Sequence, residues 1–353
     1  MAGLLKGFFI AFLVSLAVTP LIRKMAFRIG AIDRPDARKV HSCVMPRLGG
    51  LAIYLAFTLT VLLAAPISKS MIGLLVGGTL ILLLGIADDV MDIPPRMKLL
   101  GQLIAAGVLV AFGITVARIT NPFGSVIELP ILGIPLTILW VVGVTNAVNL
   151  IDGLDGLAGG LASIAGLTLA VVGWFEGEVT IALPAVILSA SIIGFLKYNF
   201  HPAKIFMGDS GSMFLGYILA GLSVIGLTKG AAVVSVFVPI LILGIPIFDT
   251  LFAIARRYIN NQPIFEADKE HLHHRLLALG LSHRQTVLCI YGISGLLGAS
   301  AVLLTFLTTA QAFAVFLGVT LLVLIGANRV GVLSTRAMQR MQQVEAKNRN
   351  IGA

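Results

Sequence analysis

Residues 131–156 read ILGIPLTILWVVGVTNAVNLIDGLDG, an apolar run over 131–148 that stops at Asn149, Asp152 and Asp155. A run of this length approaches the ~20 residues a helix needs to cross hydrocarbon. The polar groups at its end are costly in lipid unless they face water or a ligand. Asn146, Asn149, Asp152 and Asp155 recur at intervals of three, which on a helix places four polar groups near one face. Gly153 and Gly156 equally allow a break or tight turn that exposes backbone amides. On either geometry, a membrane span delivers acids to the edge of the bilayer.

The rest of the chain repeats that pattern. It has 353 residues, 58% hydrophobic and 12% charged, with mean hydropathy +1.01. Soluble proteins carry about 25% charged residues, so this chain is solvated mainly by lipid. Only helices and closed barrels satisfy the backbone in hydrocarbon, and these apolar runs are too long for barrel strands. The expectation is an all-α polytopic membrane protein with ten or eleven transmembrane helices, at 5–22, 48–66, 71–87, 99–117, 131–148, 157–174, 179–197, 212–228, 231–254, 286–308 and 311–327. Residues 1–328 form one integral-membrane domain and 329–353 a basic cytoplasmic tail. The ninth span contains Pro239, Gly244 and Pro246 ahead of Asp249, which predicts a kink. Residues 118–130 suit a short hairpin.

Orientation follows from the cations. The first span lacks a cleavage pattern, and its cluster Arg23, Lys24 and Arg28 follows the apolar run, which suits an anchor with its N-terminus outside. With that start, 21 of the 25 Lys and Arg fall on the cytoplasmic side, leaving Lys6, Lys69, Arg118 and Lys229 outside. Thirteen of the 16 carboxylates map to the same inner side, although they took no part in the count. The seven cations from Arg23 to Arg47 suit an anionic headgroup or a lipid phosphate at the bilayer. Nucleic acid is not a partner, because the basic residues are spread along loops and no nucleic-acid module is present. Cys43 and Cys289 both map to the reducing side and read as free thiols.

Four breaks carry the chemistry. Asp88-Asp89 ends the third span and is followed by Asp92, Pro94-Pro95, Arg96 and Lys98. Adjacent carboxylates repel unless a cation lies between them. The second break is Asn149 to Gly156. The third, Tyr198 to Ser212, contains Asn199, Phe206 and Asp209, the acid flanked by Gly208 and Gly211. Backbone and carboxylate can there approach a metal or phosphate together, and Phe206 is placed to stack on a base. The fourth, Asp268 to His283, holds four of the six histidines, with His271 and His274 three apart beside Arg275. Without cysteine or an HExxH pattern, this segment suits phosphate oxygens better than zinc.

With Lys39-Val40-His41, Pro46-Arg47-Leu48-Gly49-Gly50 and Leu281-Ser282-His283, these breaks resemble those of the polyprenyl-phosphate N-acetylhexosamine-1-phosphate transferases, and the resemblance covers most of the chain. It is greatest to bacterial enzymes that start wall teichoic acid or related glycans. The phospho-muramoyl-pentapeptide translocases share the superfamily. The resemblance implies transfer of GlcNAc-1-phosphate from UDP-GlcNAc to undecaprenyl phosphate, releasing UMP, at a cytoplasm-facing site in the bacterial plasma membrane. It implies Mg²⁺, with Mn²⁺ as a substitute, held by Asp209 beside Asp88 and Asp89. It places Asp152, Gly153, Asp155, Asn199 and Phe206 around uridine, and His271, His274 and Arg275 over the diphosphate and sugar. Lys98 and Asn149 join the substrate-binding set, and Asp88, Asp89, Asp209 and His271 the catalytic one. A homodimer is a family-level expectation.

Three alternatives fit less well. The translocase branch has three consecutive histidines, whereas Leu272 here separates His271 from His273-His274. A secondary transporter would carry its charges near the midplane, not at one interface. A CDP-alcohol phosphatidyltransferase expects further acids after Asp155-Gly156, where residues 157–175 carry no charge.

Overall fold

The computed structural model describes residues 1–34, 44–120, 126–229, 236–263 and 270–331. Lys39, His41, Cys43, residues 231–235 of the ninth span, Asp268 and the tail beyond Gly331 lie outside the described residues. The helices are α1 (Ala2–Ile29), α2 (Gly49–Ala64), α3 (Lys69–Met91), α4 (Pro95–Ala111), α5 (Gly133–Leu150), α6 (Leu157–Phe175) and α7 (Val179–Asn199). They continue with α8 (Gly208–Lys229), α9 (Phe237–Ile242), α10 (Gly244–Ile259), α11 (Leu272–Ala278), α12 (His283–Leu304) and α13 (Thr309–Arg329). Two small antiparallel hairpins complete the described fold: β1 (Ile32–Asp33) with β2 (Met45–Pro46), and β3 (Arg118–Thr120) with β4 (Val126–Glu128). The second is the hairpin expected over 118–130.

Among the described residues, eight helices, α1, α3, α5, α6, α7, α8, α12 and α13, are long and apolar enough to cross a membrane. Several boundaries differ from the sequence expectation in ways that matter. Helix α3 continues through Asp88-Asp89, because nothing in Ala87-Asp88-Asp89-Val90 breaks a helix before Asp92 takes a left-handed φ of 50°. Helix α4 starts at Pro95, whose fixed φ suits the first helical position, so Lys98 sits in the first turn. It ends at Ala111, six residues early, where Gly113 turns left-handed at φ 85°. Helix α8 begins at Gly208, four residues early, and thereby takes Asp209 into its first turn. The described part of the ninth span is two helices, α9 and α10, meeting at Leu243.

Helix α8 is the axis of the bundle. Of its apolar window 89% is buried, against 6% for α13 at the periphery. Helices α2, α3, α5, α6 and α7 pack around it. Small residues make this crowding possible, since apolar side chains gain little by leaving lipid and close backbone approach must supply the attraction. Along α1, Gly7, Ala11, Ser15 and Thr19 form a buried stripe four residues apart, and α7 is a main packing partner of that helix. A Cβ on Gly85 of α3 would lie 2.4 Å from Ser210 Cα, and one on Gly50 of α2 would lie 2.1 Å from Gly211 N. Three helices therefore meet at the first turn of α8 at backbone distance.

Candidate active site

The start of α8 is held from two sides. From α3, Asp89 Oδ1 accepts the N–H of Asp209 at 2.9 Å and Oδ2 accepts that of Ser210 at 3.1 Å. These amides lack partners inside the helix, so the carboxylate satisfies groups that a buried terminus would otherwise leave open. From α2, Gly49 N–H donates to Phe206 O at 3.0 Å and Gly50 N–H to Met207 O at 2.9 Å, while Phe206 N–H donates to Pro46 O at 2.9 Å. The Pro46–Gly50 and Phe206–Asp209 motifs are thus zipped together through main-chain atoms.

The acid pair is split by this arrangement. Asp89 is buried in the cap, while Asp88 is turned to Lys98, whose Nζ lies 2.8 Å from Asp88 Oδ2 and also bonds Asp209 Oδ2. Asn149 Nδ2 steadies the other Asp209 oxygen at 3.1 Å and donates to Ser212 Oγ at 2.8 Å. Asp88 and Asp209, 121 residues apart in chain numbering, therefore face a single ammonium. Asn146 is elsewhere: it exchanges amide hydrogen bonds with Gln102 of α4 at 2.7 and 3.2 Å, which makes it a structural pin between helices.

Helix α5 ends at Leu150, and Asp152 and Asp155 occupy the turn before α6, so the break takes precedence over the continuous helix. Asp155 Oδ2 accepts Ala203 N–H at 3.0 Å and pairs with His201 Nδ1 at 2.9 Å. Asn199 spends both ends of its amide on scaffolding: Oδ1 accepts Gly156 N–H at 3.2 Å and Nδ2 donates to Ile205 O at 3.0 Å. The Asp152 carboxyl is pushed up to about 8 by burial, then by the charges of Asp209, Asp89 and Asp155. A cation at this end would relieve that repulsion.

These residues wall a cavity of about 780 Å³. Asp88, Asp89, Asp152, Gly153, Asp155, Asn199, Phe206, Asp209 and His274 all line it. Lys98 and Asn149 stand behind that wall, in contact with Asp209. His271 and Arg275 do not line it. Both are buried: His271 Nδ1 lies 2.8 Å from Asp249 Oδ2, and Arg275 bonds Glu270 Oε2 at 2.8 Å and the carbonyl of Gly331. Sequence reasoning missed Asp33 and Arg47, an ion pair at 3.2 Å on the rim, and gave no role to His201 or His283. Arg47, His201 and His283 stood inside the quoted motifs and Asp33 outside them, and polarity alone did not separate any of the four from solvated loop residues.

Asp155, His201 and His283 bring potential metal-ligating atoms within 4.8 Å of one another. The two imidazoles are stacked, centroids 4.1 Å apart and planes 18° from parallel. Parallel stacked rings do not converge two lone pairs on one ion, so this trio acts as a strut joining the α5–α6 turn, the 199–207 loop and α12. Asp88 and Asp209 are the better cation donors. They offer hard oxygens of the kind Mg²⁺ selects, and both are already directed at a positive charge.

Comparison with known proteins gives a consistent answer. The family model described as glycosyl transferase family 4 matches residues 71–227, which include Asp88, Asp152, Asp155 and Asp209. A Bacillus subtilis (strain 168) protein, the probable undecaprenyl-phosphate N-acetylglucosaminyl 1-phosphate transferase, is 45% identical over 306 residues, covering 86% of each chain. The decaprenyl-phosphate N-acetylglucosaminephosphotransferase of Mycolicibacterium smegmatis is 37% identical over 354 residues, 92% of this chain and 87% of its own. The undecaprenyl-phosphate alpha-N-acetylglucosaminyl 1-phosphate transferase of Escherichia coli K12 is 28% identical over 289 residues, 80% and 78% of the two chains.

Proposed function

The chain belongs to glycosyl transferase family 4, and on that premise we propose that it transfers GlcNAc-1-phosphate from UDP-GlcNAc to undecaprenyl phosphate. The products are undecaprenyl-pyrophosphoryl-GlcNAc and UMP, and the step opens synthesis of a cell-surface glycan such as teichoic acid. The observation that carries this reading is the convergence of Asp88 and Asp209 at one end of the cavity, with the Lys98 ammonium between them behind its wall. Such an arrangement is built to gather like charges, which is what joining a lipid phosphate to a nucleotide diphosphate demands.

In the reaction, an oxygen of the lipid phosphate bonds to the phosphorus that bears the sugar. The bond from that phosphorus to the bridging oxygen breaks, and UMP leaves with the electron pair. A phosphate monoester, with its second pKa of about 6, is already mostly dianionic at neutral pH, so a general base is less needed than position and charge neutralisation. Direct attack is therefore favoured over a covalent Asp88 intermediate. Asp209 and Asp88 would hold Mg²⁺, or Mn²⁺ in its place, and a bound divalent ion would offset negative charge on the diphosphate oxygens. Asn149 fixes the rotamer of Asp209, Lys98 keeps a positive charge between the two acids, and Asp89 anchors the helix that presents Asp209. Asp152, Gly153, Asp155 and Phe206 line the part of the cavity we assign to uridine, and His274 the part next to the sugar.

We further infer eleven spans, with α2, α4 and the α9–α10 pair added to the eight long helices, an N-terminus outside and a cavity open to the cytoplasm. The distribution of Lys and Arg supports this orientation. The test is to offer purified protein undecaprenyl phosphate with UDP-GlcNAc, UDP-GalNAc or UDP-MurNAc-pentapeptide and to measure UMP. Release with UDP-GlcNAc alone is the expected result; release only with the pentapeptide donor, or with none, overturns the proposal.

A further inference from the structure

A buried acid remains that the reaction as described does not use. Asp249 lies on α10, 5% exposed, and both of its oxygens reach across to the His/Arg segment. Oδ1 accepts the N–H of Leu272 at 2.8 Å, and Oδ2 pairs with His271 Nδ1 at 2.8 Å. Leu272 opens α11, and His271, the residue before it, makes no cap of its own. The acid therefore supplies, from a different helix, the cap that α11 lacks. A second tie runs parallel to the first, in which Glu270 Oε2 receives Arg256 of α10 at 2.9 Å and Arg275 of α11 at 2.8 Å.

We propose that Asp249 is a positioning residue for transfer: it fixes the start of α11 and the ring of His271, and so sets where His274 meets the cavity. Three observations carry this. A carboxyl group buried this deeply is costly unless hydrogen-bonded, and this one is held by partners from the segment it would position. Helix α11 has only seven residues, too short to hold its shape by internal hydrogen bonds, so its placement depends on outside contacts. That placement has consequences, because the next two residues are His273, whose ring packs against Gly153 in the cavity wall, and His274, which lines the cavity. A nearby element of the same kind, Asp89 at α8, shows the fold using a buried acid on one helix to place the first turn of another.

The proposal rests on the transfer reaction above, and its test separates the two. Full-length protein in detergent is compared as wild type, Asp249→Ala, Asp249→Glu, His271→Ala and the double variant Asp249→Ala/His271→Ala. The expected result is a kcat at least about tenfold lower in Asp249→Ala, with the KM for undecaprenyl phosphate unchanged and activity partly restored in Asp249→Glu. The double variant should fall no further than the worse single, because residues acting as one unit are not additive. Independently of turnover, hydrogen exchange should show the Leu272 amide losing protection in Asp249→Ala while α8 keeps its own. Unchanged Leu272 protection, additive losses, or wild-type kcat in Asp249→Ala overturns the positioning role. If the wild type releases no UMP with any donor, the transfer reading fails, and the exchange result alone then decides whether Asp249 places α11.

Discussion

Asp89 and Asp209 meet through a side chain on one helix and a backbone amide on another: the Asp89 carboxylate, on α3, accepts the Asp209 N–H at 2.9 Å and so anchors the first turn of α8. Its neighbour Asp88 faces the opposite partner, Lys98. Two adjacent acids of the same type thus differ in what their loss should do. Asp89→Ala leaves two buried amides open and should lower stability by about 1–3 kcal/mol, seen as a fall in the thermal midpoint of the detergent-extracted protein. Asp88→Asn and Asp209→Asn should abolish metal-dependent UMP release from protein that still extracts folded. A wild-type midpoint for Asp89→Ala would refute the anchoring role.

Lys98 is the one cation placed between Asp88 and Asp209 among the described residues. Lys98→Met removes the charge that holds Asp88 and Asp209 together behind the cavity wall and should lower kcat by about 10²–10³, the scale of losing one preorganised electrostatic group. Lys98→Arg should recover little, because a planar fork cannot occupy the compact point an ammonium fills. Initial rates of UMP release decide this, and a Met variant within about tenfold of wild type would rule out the assignment.

Metal removal gives a third expectation. EDTA should stop transfer, and Mg²⁺ should restore it, with Mn²⁺ as a partial replacement. Asn149→Ala frees the Asp209 carboxylate to rotate, so the Mg²⁺ concentration for half-maximal rate should rise while maximal rate changes less. An unchanged Mg²⁺ titration in that variant would separate Asn149 from the metal.

Close packing at α8 makes a stability prediction. An added methyl on Gly85 or Gly50 would sit 2.4 and 2.1 Å from backbone atoms of Ser210 and Gly211, which cannot move aside as a side-chain tip can. Gly85→Ala and Gly50→Ala should each cost about 1–3 kcal/mol, read as reduced thermal stability or loss of extractable protein. Gly107→Ala, with nothing within 4 Å of the new carbon, is the control expected to behave as wild type.

His273 predicts an acid weakness. Burial, with the nearby charges of His274, His271 and His283 outweighing Asp249, pushes its imidazole down to about 3, below the ordinary 6.5. Among the described residues, neither ring nitrogen has a hydrogen-bond partner. Between those values the unfolded chain takes up a proton that the folded one refuses. The stability associated with a neutral His273 is therefore complete above pH 6.5 and is lost as pH falls towards 3. Wild type should lose thermal stability on going from pH 7 to pH 4.5 more steeply than His273→Phe; equal slopes would discount the effect.

Much of the cavity lining was legible in the sequence. Hydropathy picked out the eight long apolar helices, and the acids between the apolar runs defined the breaks, because a carboxylate in lipid needs a reason. The division of labour within those breaks was hidden. Nothing in Asp88-Asp89 says which acid turns to Lys98 and which caps α8, since that depends on how far α3 continues and where α8 begins. Asn199 and Asn146 look alike in sequence, yet Asn199 bonds the scaffold from the cavity wall while Asn146 pins two helices away from it, because an amide serves backbone and side chain equally well. Arg275 suited phosphate by type, but Glu270 and Gly331 hold it away from the cavity. Asp249 sat inside an apolar run whose prolines drew attention first.

The zipper between Pro46–Gly50 and Phe206–Met207 is made of peptide groups alone. Interlocking of that kind is indifferent to which side chains decorate it, provided the glycines stay small. The rim of the cavity is therefore free to diversify its recognition of sugars and bases while the acids beneath it keep their coordinates. One chassis can in this way host a range of donor preferences without re-engineering its chemistry.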